Sequence, residues 1–587
     1  MTQLGSSAAT AAVCAVLALA GAAAAKPEKK PAPAETPAAH AGHDMGAGGM
    51  SMGPMAAMPA VYGGDADKPG APVFTGLSDH HHPISTKIPE TQKFFDQGVK
   101  LLFGFNHAEA IRSFREAARL DPDCAMCWWG VAFALGPNIN LPMQADAAEP
   151  AWQALGRAQA LAPKASAAER AWIDALAKRY ATDPKADRKP LDEAFAQAMA
   201  ELARTYPDDL DAATFAAEAM MDTQPWDYWQ ADAKTPKGHG GQIVALLEGV
   251  LAKNPDHPGA LHLYIHAVEA SNTPERAEAA ADRLLPLMPQ AGHIVHMPSH
   301  IYYRVGRYVD AVKVNEQAAA VDEQYIAQCK AQGFYPVGYY GHNIHFLWTS
   351  SEMLGRSAAA LDASRRLVKA TNAEVFSKSV PVGELFVFTP VVTLVRFGKW
   401  RDALAEPAPP AELKLDTAVW LYAQAFAHAN TGDRKAALAE RETLAALSTA
   451  DLSAFEAFGV PAKPMVDLAL ALVDGELART SGNLDGAVAR FRQGWEMERA
   501  LPYTEPPYWH QPSSHLLGAA LMQANRPGEA EAVYRESLTF YRGDGWALFG
   551  LAQALAAQGK KDEAAKTRTA FEAAWRSADV KLTSSRF

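Results

Sequence analysis

Apolar positions along this chain recur with the spacing of amphipathic helices, and the helices come in pairs joined by a short turn. In each pair an apolar helix ends at a small turn residue, and alanine follows five positions later. The turn residues are Asn272, Gly306, Gly355, Gly398, Gly432, Gly482, Asn525 and Gly559. Three adjacent pairs of turns (272 and 306, 398 and 432, 525 and 559) lie 34 residues apart. A repeat of this length predicts an all-α solenoid of stacked helical hairpins.

The same pattern divides the chain into four parts. Residues 1–25 are mainly Ala, Val, Leu, Gly and Ser and end in small residues, which predicts a signal peptide and a periplasmic or secreted protein. Residues 26–90 are rich in Pro, Ala, Gly, Met and His, so we expect a disordered tether. Residues 91–578 contain the helical repeats, and residues 579–587 form a C-terminal tail.

Composition narrows the range of partners. Of the 587 residues, 49% are apolar, which is ample for a large core, and the net charge is −11. Because a negative chain offers no basic field to a phosphate backbone, we do not expect nucleic acid as a partner. After removal of residues 1–25 no segment is typical of a stable membrane span. The oligomeric state is not constrained by the sequence.

The first hairpin identifies the kind of repeat. It carries small, apolar, alanine, aromatic, alanine and proline residues in the order Gly98, Leu101, Ala110, Phe114, Ala117 and Pro122. This pattern resembles the tetratricopeptide repeat (TPR). The stretches 293–307 and 225–229 are similar to stretches of secreted bacterial TPR proteins of unassigned activity. The resemblance implies a superhelix whose first helices line a concave groove, and a scaffold that binds a protein, a peptide or a small molecule there.

Histidines recur at a fixed phase of three consecutive repeats. They form one stripe, which comprises His262, His266, His293, His296, His300, His342 and His345. The resemblance implies that this stripe faces the groove. We predict a ligand-binding wall that also includes Glu269, Tyr303, Arg304 and Glu218.

Three hypotheses for the stripe remain open at this point. The histidines can bridge helices by ordinary hydrogen bonds, or they can form, with Tyr303 and Arg304, a polar pocket for a peptide or an anion. Alternatively, copper, zinc or iron can be held by a metal-ligand set with a nearby carboxylate, in a binding protein or a metal-dependent enzyme. The predicted metal-ligand set is His262, His266, His296, His300 and His345. Leu263 follows His262, so the metalloprotease pattern His-Glu-x-x-His is missing. The sequence therefore favours binding over catalysis.

Two further motifs carry candidate chemistry. Thioether and imidazole groups in the tether suit a weak copper site, with His40, His43, Met45, Met50 and Met52 as candidate ligands. Cys124 and Cys127 form a Cys-x-x-Cys pair at a predicted helix start. The pair is compatible with a disulfide in an oxidising compartment, with a redox couple or metal site, or with reduced thiols.

Overall fold

The computed structural model describes residues 70–587, apart from residues 330–333, 374–376, 378–380 and 457. The predicted signal peptide and the candidate ligands of the tether, His40, His43, Met45, Met50 and Met52, lie outside the described residues.

Paired α-helices make up the described chain, and each packs against its neighbours in sequence. The first group is α1 (Pro89–Phe103), α2 (His107–Leu120), α3 (Ala125–Ala134), α4 (Ala148–Leu161), α5 (Ala167–Leu176), α6 (Arg188–Thr205), α7 (Leu210–Thr223) and α8 (Gly240–Lys253). The middle group is α9 (Pro258–Glu269), α10 (Glu278–Leu287), α11 (Gly292–His296), α12 (Pro298–Val305), α13 (Tyr308–Cys329), α14 (Phe334–Val337), α15 (Tyr339–Met353), α16 (Ser357–Thr371), α17 (Glu384–Val387), α18 (Thr389–Arg396) and α19 (Trp400–Ala405). The last group is α20 (Lys414–Thr431), α21 (Arg434–Leu447), α22 (Ser453–Glu456), α23 (Ala462–Thr480), α24 (Leu484–Arg499), α25 (Ser513–Gln523), α26 (Pro527–Phe540), α27 (Gly545–Ala557) and α28 (Lys561–Ala574).

Short 3₁₀ turns connect some of these helices, at Ala145–Ala147, Ala162–Lys164, Ala177–Arg179, Pro274–Ala277 and Pro381–Gly383. The described residues contain two isolated β-bridges, Asn138 with Leu141 and Trp229 with Pro236. The fold is therefore an all-α, TPR-like solenoid, as the repeat length predicts.

The repeat frame is visible in the backbone and in the core. Of the predicted turn residues, all except Asn272 have positive φ, the conformation that glycine and asparagine tolerate best. Gly306, with φ of 84°, ends α12, and a Cβ there would collide with the carbonyl oxygen of Arg542. The alanines five positions after the turns are 0% exposed in every repeat up to Ala530, while Ala564 of the terminal hairpin is half-buried. Small residues at these positions let the paired helices approach closely.

The solenoid winds back on itself, so that its last repeats touch its middle ones. Arg542, which follows α26, pairs with Glu275 at 2.9 Å. The indole nitrogen of Trp546 in α27 donates to the carbonyl oxygen of Glu352 in α15 at 3.0 Å. The inner wall of the middle repeats is consequently enclosed rather than open to solvent.

Both ends of the repeat region differ from the predicted boundaries. Residues 70–88, assigned to the tether, lie against the first helices: Phe74 and Ser85 are held by side-chain oxygens of Gln97 and Glu169, at 2.9 and 2.6 Å. The predicted C-terminal tail is also packed, because Arg586 forms two hydrogen bonds to Glu476 at 2.5 and 2.7 Å. Buried hydrogen-bond acceptors on the repeats hold both segments in place. The amino-acid composition of the two segments does not reveal these contacts. Among the described helices, none is both long and apolar enough to cross a membrane.

Candidate metal centre

Six imidazoles from three consecutive repeats meet inside the superhelix in two groups of three. The first triad is His262 and His266 of α9 with His293 of α11, and the second is His296 and His300 with His342 of α15. Within each triad, one nitrogen from each ring lies within 4.8 Å of the others. We call the six side chains the histidine cluster. Five of them are buried and His342 is half-buried.

Hydrogen bonds at Nδ1 fix two rings of the first triad, His262 and His266, while Nδ1 of His293 has no partner among the described residues. Nδ1 of His262 lies 2.6 Å from the carbonyl oxygen of Phe103, and Nδ1 of His266 lies 2.9 Å from Oε1 of Glu269. Because oxygen acceptors require a proton on Nδ1, Nε2 of each neutral ring carries a lone pair. Nε2 of His293 is 3.2 Å from Nε2 of His262, and Nε2 of His266 finds no hydrogen-bond partner in the described chain.

The second triad repeats this arrangement. Nδ1 of His296 lies 2.6 Å from Oδ1 of Asn315, whose amide nitrogen donates to Ala311. Nδ1 of His300 lies 2.5 Å from Oε2 of Glu269. The Nε2 atoms of these two rings are 2.9 Å apart, and Nε2 of His342 is 3.4 Å from that of His300.

Glu269 links the two triads. Its two carboxylate oxygens accept from His266 and His300, so one fully buried carboxylate sets the tautomer and orientation of a ring in each triad. A carboxylate behind a histidine is the usual outer partner of imidazole metal ligands.

Electrostatics keeps most of the cluster neutral. Burial, together with the neighbouring imidazoles, holds the pKa values of His262, His266, His293 and His296 well below the usual value. His300 is the exception: burial lowers its pKa, but the charge and hydrogen bond of Glu269 raise it to about 9. A second proton on His300 therefore accounts for the hydrogen bond between Nε2 of His300 and Nε2 of His296. In the first triad, neutral His293 can donate from Nε2 to Nε2 of His262, because its Nδ1 has no oxygen partner among the described residues.

Distances between the facing atoms fit a transition metal. With metal–nitrogen bonds of about 2.0–2.1 Å, ligand angles of 90–109° place two nitrogens about 2.9–3.4 Å apart. Three of the six separations, 3.2, 2.9 and 3.4 Å, fall within this range, and the other pairs of each triad lie within 4.8 Å.

The structure brings together four of the five residues of the predicted metal-ligand set, His262, His266, His296 and His300. His345 is not in either triad: it lies one helical turn beyond His342, and its ring stacks on Trp348 with a centroid distance of 5.3 Å. His293 and His342 take part instead. Glu218 belongs to neither triad and is buried near Asp222 and the cation of Arg179.

Tyr303 and Arg304 lie beside the cluster as structural groups. The hydroxyl of Tyr303 is 3.3 Å from that of Thr349. Arg304 donates to the backbone carbonyls of Glu269 and Ser271, which ties α12 to the end of α9. With these bonds in place, the guanidinium is engaged by the protein itself.

Two insertions between repeats cover the cluster. Trp226, from the loop after α7, packs its ring edge on His266 at a centroid distance of 4.8 Å. From the loop before α25, Oε2 of Glu505 lies 3.3 Å from Nδ1 of His300, without hydrogen-bond geometry, and burial raises the pKa of Glu505 to about 7. The repeat period does not identify Glu505 as a neighbour of His300, because it relates no residue of this loop to the histidine stripe.

A second group of buried histidines lies nearer the N-terminus. His80 and His82, which precede α1, and His257, which caps α9, all contact the carboxylate of Asp211, at 3.1, 2.7 and 3.0 Å. We call these four residues the Asp211 latch. The three imidazole hydrogen bonds overcome burial and hold the pKa of Asp211 well below its usual value.

The cysteine pair forms a disulfide in the structure. Cys124 and Cys127 are joined across the first turn of α3, with a Cα–Cα distance of 5.5 Å. This agrees with one of the three alternatives that the spacing leaves open.

Comparisons with known proteins add little to this picture. No family model matches the sequence, and no curated protein is significantly similar to it. Among solved structures, a human IFIT1 dimer with PPP-AAAA covers 84% of this chain and 91% of its own, with 12% identity and a TM-score of 0.31. The TPR domain of P58(IPK) covers 82% and 92%, with 14% identity and a TM-score of 0.18. The assignment of the fold rests on the helical hairpins themselves.

Proposed function

We propose that this chain is an exported transition-metal protein whose histidine cluster binds one metal ion at each triad. Neutral imidazoles suit zinc, copper and iron, and a site with three protein ligands keeps a position for water or another ligand.

One observation carries the proposal: Nε2 of His266 is buried and unpartnered among the described residues. Its Nδ1 proton is committed to Glu269, so Nε2 can only accept. An unsatisfied buried acceptor costs roughly 1–3 kcal/mol. A metal cation bound by His262, His266 and His293 would satisfy this nitrogen together with the facing nitrogens of the other two rings.

The surroundings of the cluster favour an ion over a large ligand. Next to the cluster is a cavity with a volume of about 60 Å³. One buried water requires roughly 10–15 Å³ on this measure. The site therefore accommodates metal ions with a few further ligand atoms, whereas an extended peptide would require the covering loops to move.

The proposal is tested by elemental analysis of the full chain after loading with zinc, copper or iron and removal of excess metal. We expect two equivalents of metal per chain. A variant with the tether ligands His40, His43, Met45, Met50 and Met52 replaced by alanine should retain both equivalents. His515→Ala serves as the matched control, because His515 occupies the same repeat phase but contacts Asp544 at 2.5 Å. Metal that disappears with the tether ligands, or no metal above background, would refute the proposal.

A further inference from the structure

The cavity beside the histidine cluster has walls of two kinds. Its polar lining includes His266, His293, His300 and His342 together with Glu269. The rest of the lining is mainly apolar and includes the rings of Trp226, Phe334, Trp348, Phe386, Phe388 and Tyr508. Ligand nitrogens of both triads thus border a largely aromatic space.

The size and charge of this cavity limit what it can hold. Its space of about 60 Å³ admits a molecule of only a few non-hydrogen atoms. An anion bound there would have the buried carboxylates of Glu269 and Glu505 and a mainly apolar lining beside it, which opposes its attraction to a metal cation. The nearby cations of the protein are already paired: His300 binds Glu269, and Arg304 engages backbone carbonyls and lies 4.0 Å from Glu505. A neutral, weakly polar molecule meets neither penalty.

We infer, on the basis of the metal centre proposed above, that this cavity admits neutral diatomic molecules of the dioxygen and nitric oxide class to the open position of a bound metal. Three imidazoles per ion leave such a position, and the aromatic wall excludes bulk water from it. The inference concerns binding alone and requires no co-reactant.

Nitric oxide is a suitable probe, with iron(II) as the metal. The full chain is stripped, loaded with iron(II) without oxygen, assayed for iron and then titrated with nitric oxide while the iron–nitrosyl signal is recorded by electron paramagnetic resonance. We expect a stoichiometric signal, whereas millimolar azide should leave the iron spectrum unchanged. Failure to retain iron would remove the metal centre and the inference together. Iron that is retained but forms no nitrosyl, or that prefers azide, would overturn the inference alone.

Substitutions of cavity residues test the inference without altering the metal ligands. Leu385 lines the cavity and belongs to neither triad, so Leu385→Trp should keep the iron and weaken nitric oxide binding at least tenfold. Leu438→Trp is the matched control at an exposed leucine and should bind nitric oxide normally. If Leu385→Trp does not fold, Phe388→Leu replaces it: the widened cavity should admit nitrosobenzene, which the unaltered protein excludes. Equal nitric oxide affinity in folded Leu385→Trp, or nitrosobenzene binding to the unaltered protein, would contradict the inference.

Discussion

The histidine cluster and the Asp211 latch bury imidazoles in opposite ways. In the latch, three imidazoles donate to a single carboxylate, and burial of His82 is outweighed by Asp211 so that its pKa is raised. In the cluster, Glu269 accepts from only two of the six imidazoles, and two pairs of Nε2 atoms face each other instead of oxygen. The contrast indicates that the latch is complete as a hydrogen-bonded structure, whereas the cluster keeps a buried acceptor, Nε2 of His266, without a partner among the described residues. Both groups are rich in histidine, so histidine content alone does not define a metal site.

We expect the largest loss of metal affinity when one ligand is removed from each triad. The double variant His266→Ala, His300→Ala should bind metal more weakly by about 4 kcal/mol at each site, roughly a third of the total for a structural zinc ion. Competition with a chelator measures this change. His80→Ala in the latch should leave the metal affinity unaltered, and an equal loss in that variant would erase the distinction between the two groups.

Substitutions in the Asp211 latch should change the stability of the protein and leave its metal content unaltered. Asp211→Ala leaves three largely buried imidazoles without their acceptor and should lower the free energy of unfolding by about 3 kcal/mol. Urea denaturation measures this loss. His81→Ala is the control, because His81 is 56% exposed and pairs only with Asp96 in that segment, so its loss should change little. Loss of metal from folded Asp211→Ala would show that the latch belongs to the metal site.

A smaller effect is expected at the carboxylate behind the ligands. Glu269→Gln keeps the size of the side chain, but it offers one acceptor where His266 and His300 need two. Metal affinity should fall about 10–100-fold, the usual result of removing an outer partner of a ligand histidine. Unchanged affinity, measured in the same chelator competition, would mean that Glu269 does not orient the ligands.

The smallest effect expected for a single ionisable side chain is the change of folding stability with pH. The pKa values of His262, His266, His293 and His296 are lowered by burial, so below pH 6.5 the unfolded metal-free chain binds more protons than the folded one. Stability should therefore decrease with falling pH, by about 1.4 kcal/mol per pH unit for each ring that stays neutral.

The pH dependence of stability should have the opposite sign for His82 in the latch and for His300, because the pKa values of both are raised in the folded state. Their protonated forms stabilise the folded protein at pH 6, and this stabilisation is lost as the pH rises above the raised pKa values. Thermal unfolding of metal-free protein between pH 7.5 and 5.5, with and without His82→Ala, separates the two groups. A metal-free protein that is more stable at pH 5.5 than at pH 7.5 would contradict the neutral state of the cluster.

Local sequence signals predicted the repeat frame well. Turn residues such as Gly306 and the alanines after them follow from the geometry of each hairpin, which neighbouring residues determine. The stripe of histidines was predicted for the same reason. The division into triads was not predicted, because the choice of His342 over His345 depends on the packing of His345, which stacks on Trp348 and meets Phe386 edge-to-face.

Contacts between distant parts of the chain were not accessible to the same reasoning. Glu505 reaches His300 because the superhelix winds back, which brings together residues that no repeat period relates. The surroundings of Glu218 were not predicted, because its helix phase does not reveal the buried Arg179 and Asp222 beside it. His80 and His82 were assigned to a tether by composition, although Asp211 binds both.

X-ray absorption on the metal-loaded full chain tests the central claim most directly. We expect two ions per chain, each with about three imidazole nitrogens at roughly 2.0–2.1 Å, and loss of that signal in His266→Ala, His300→Ala. A metal shell dominated by thioether sulfur or by carboxylate and water oxygen, or a signal that persists in the double variant, would contradict the account.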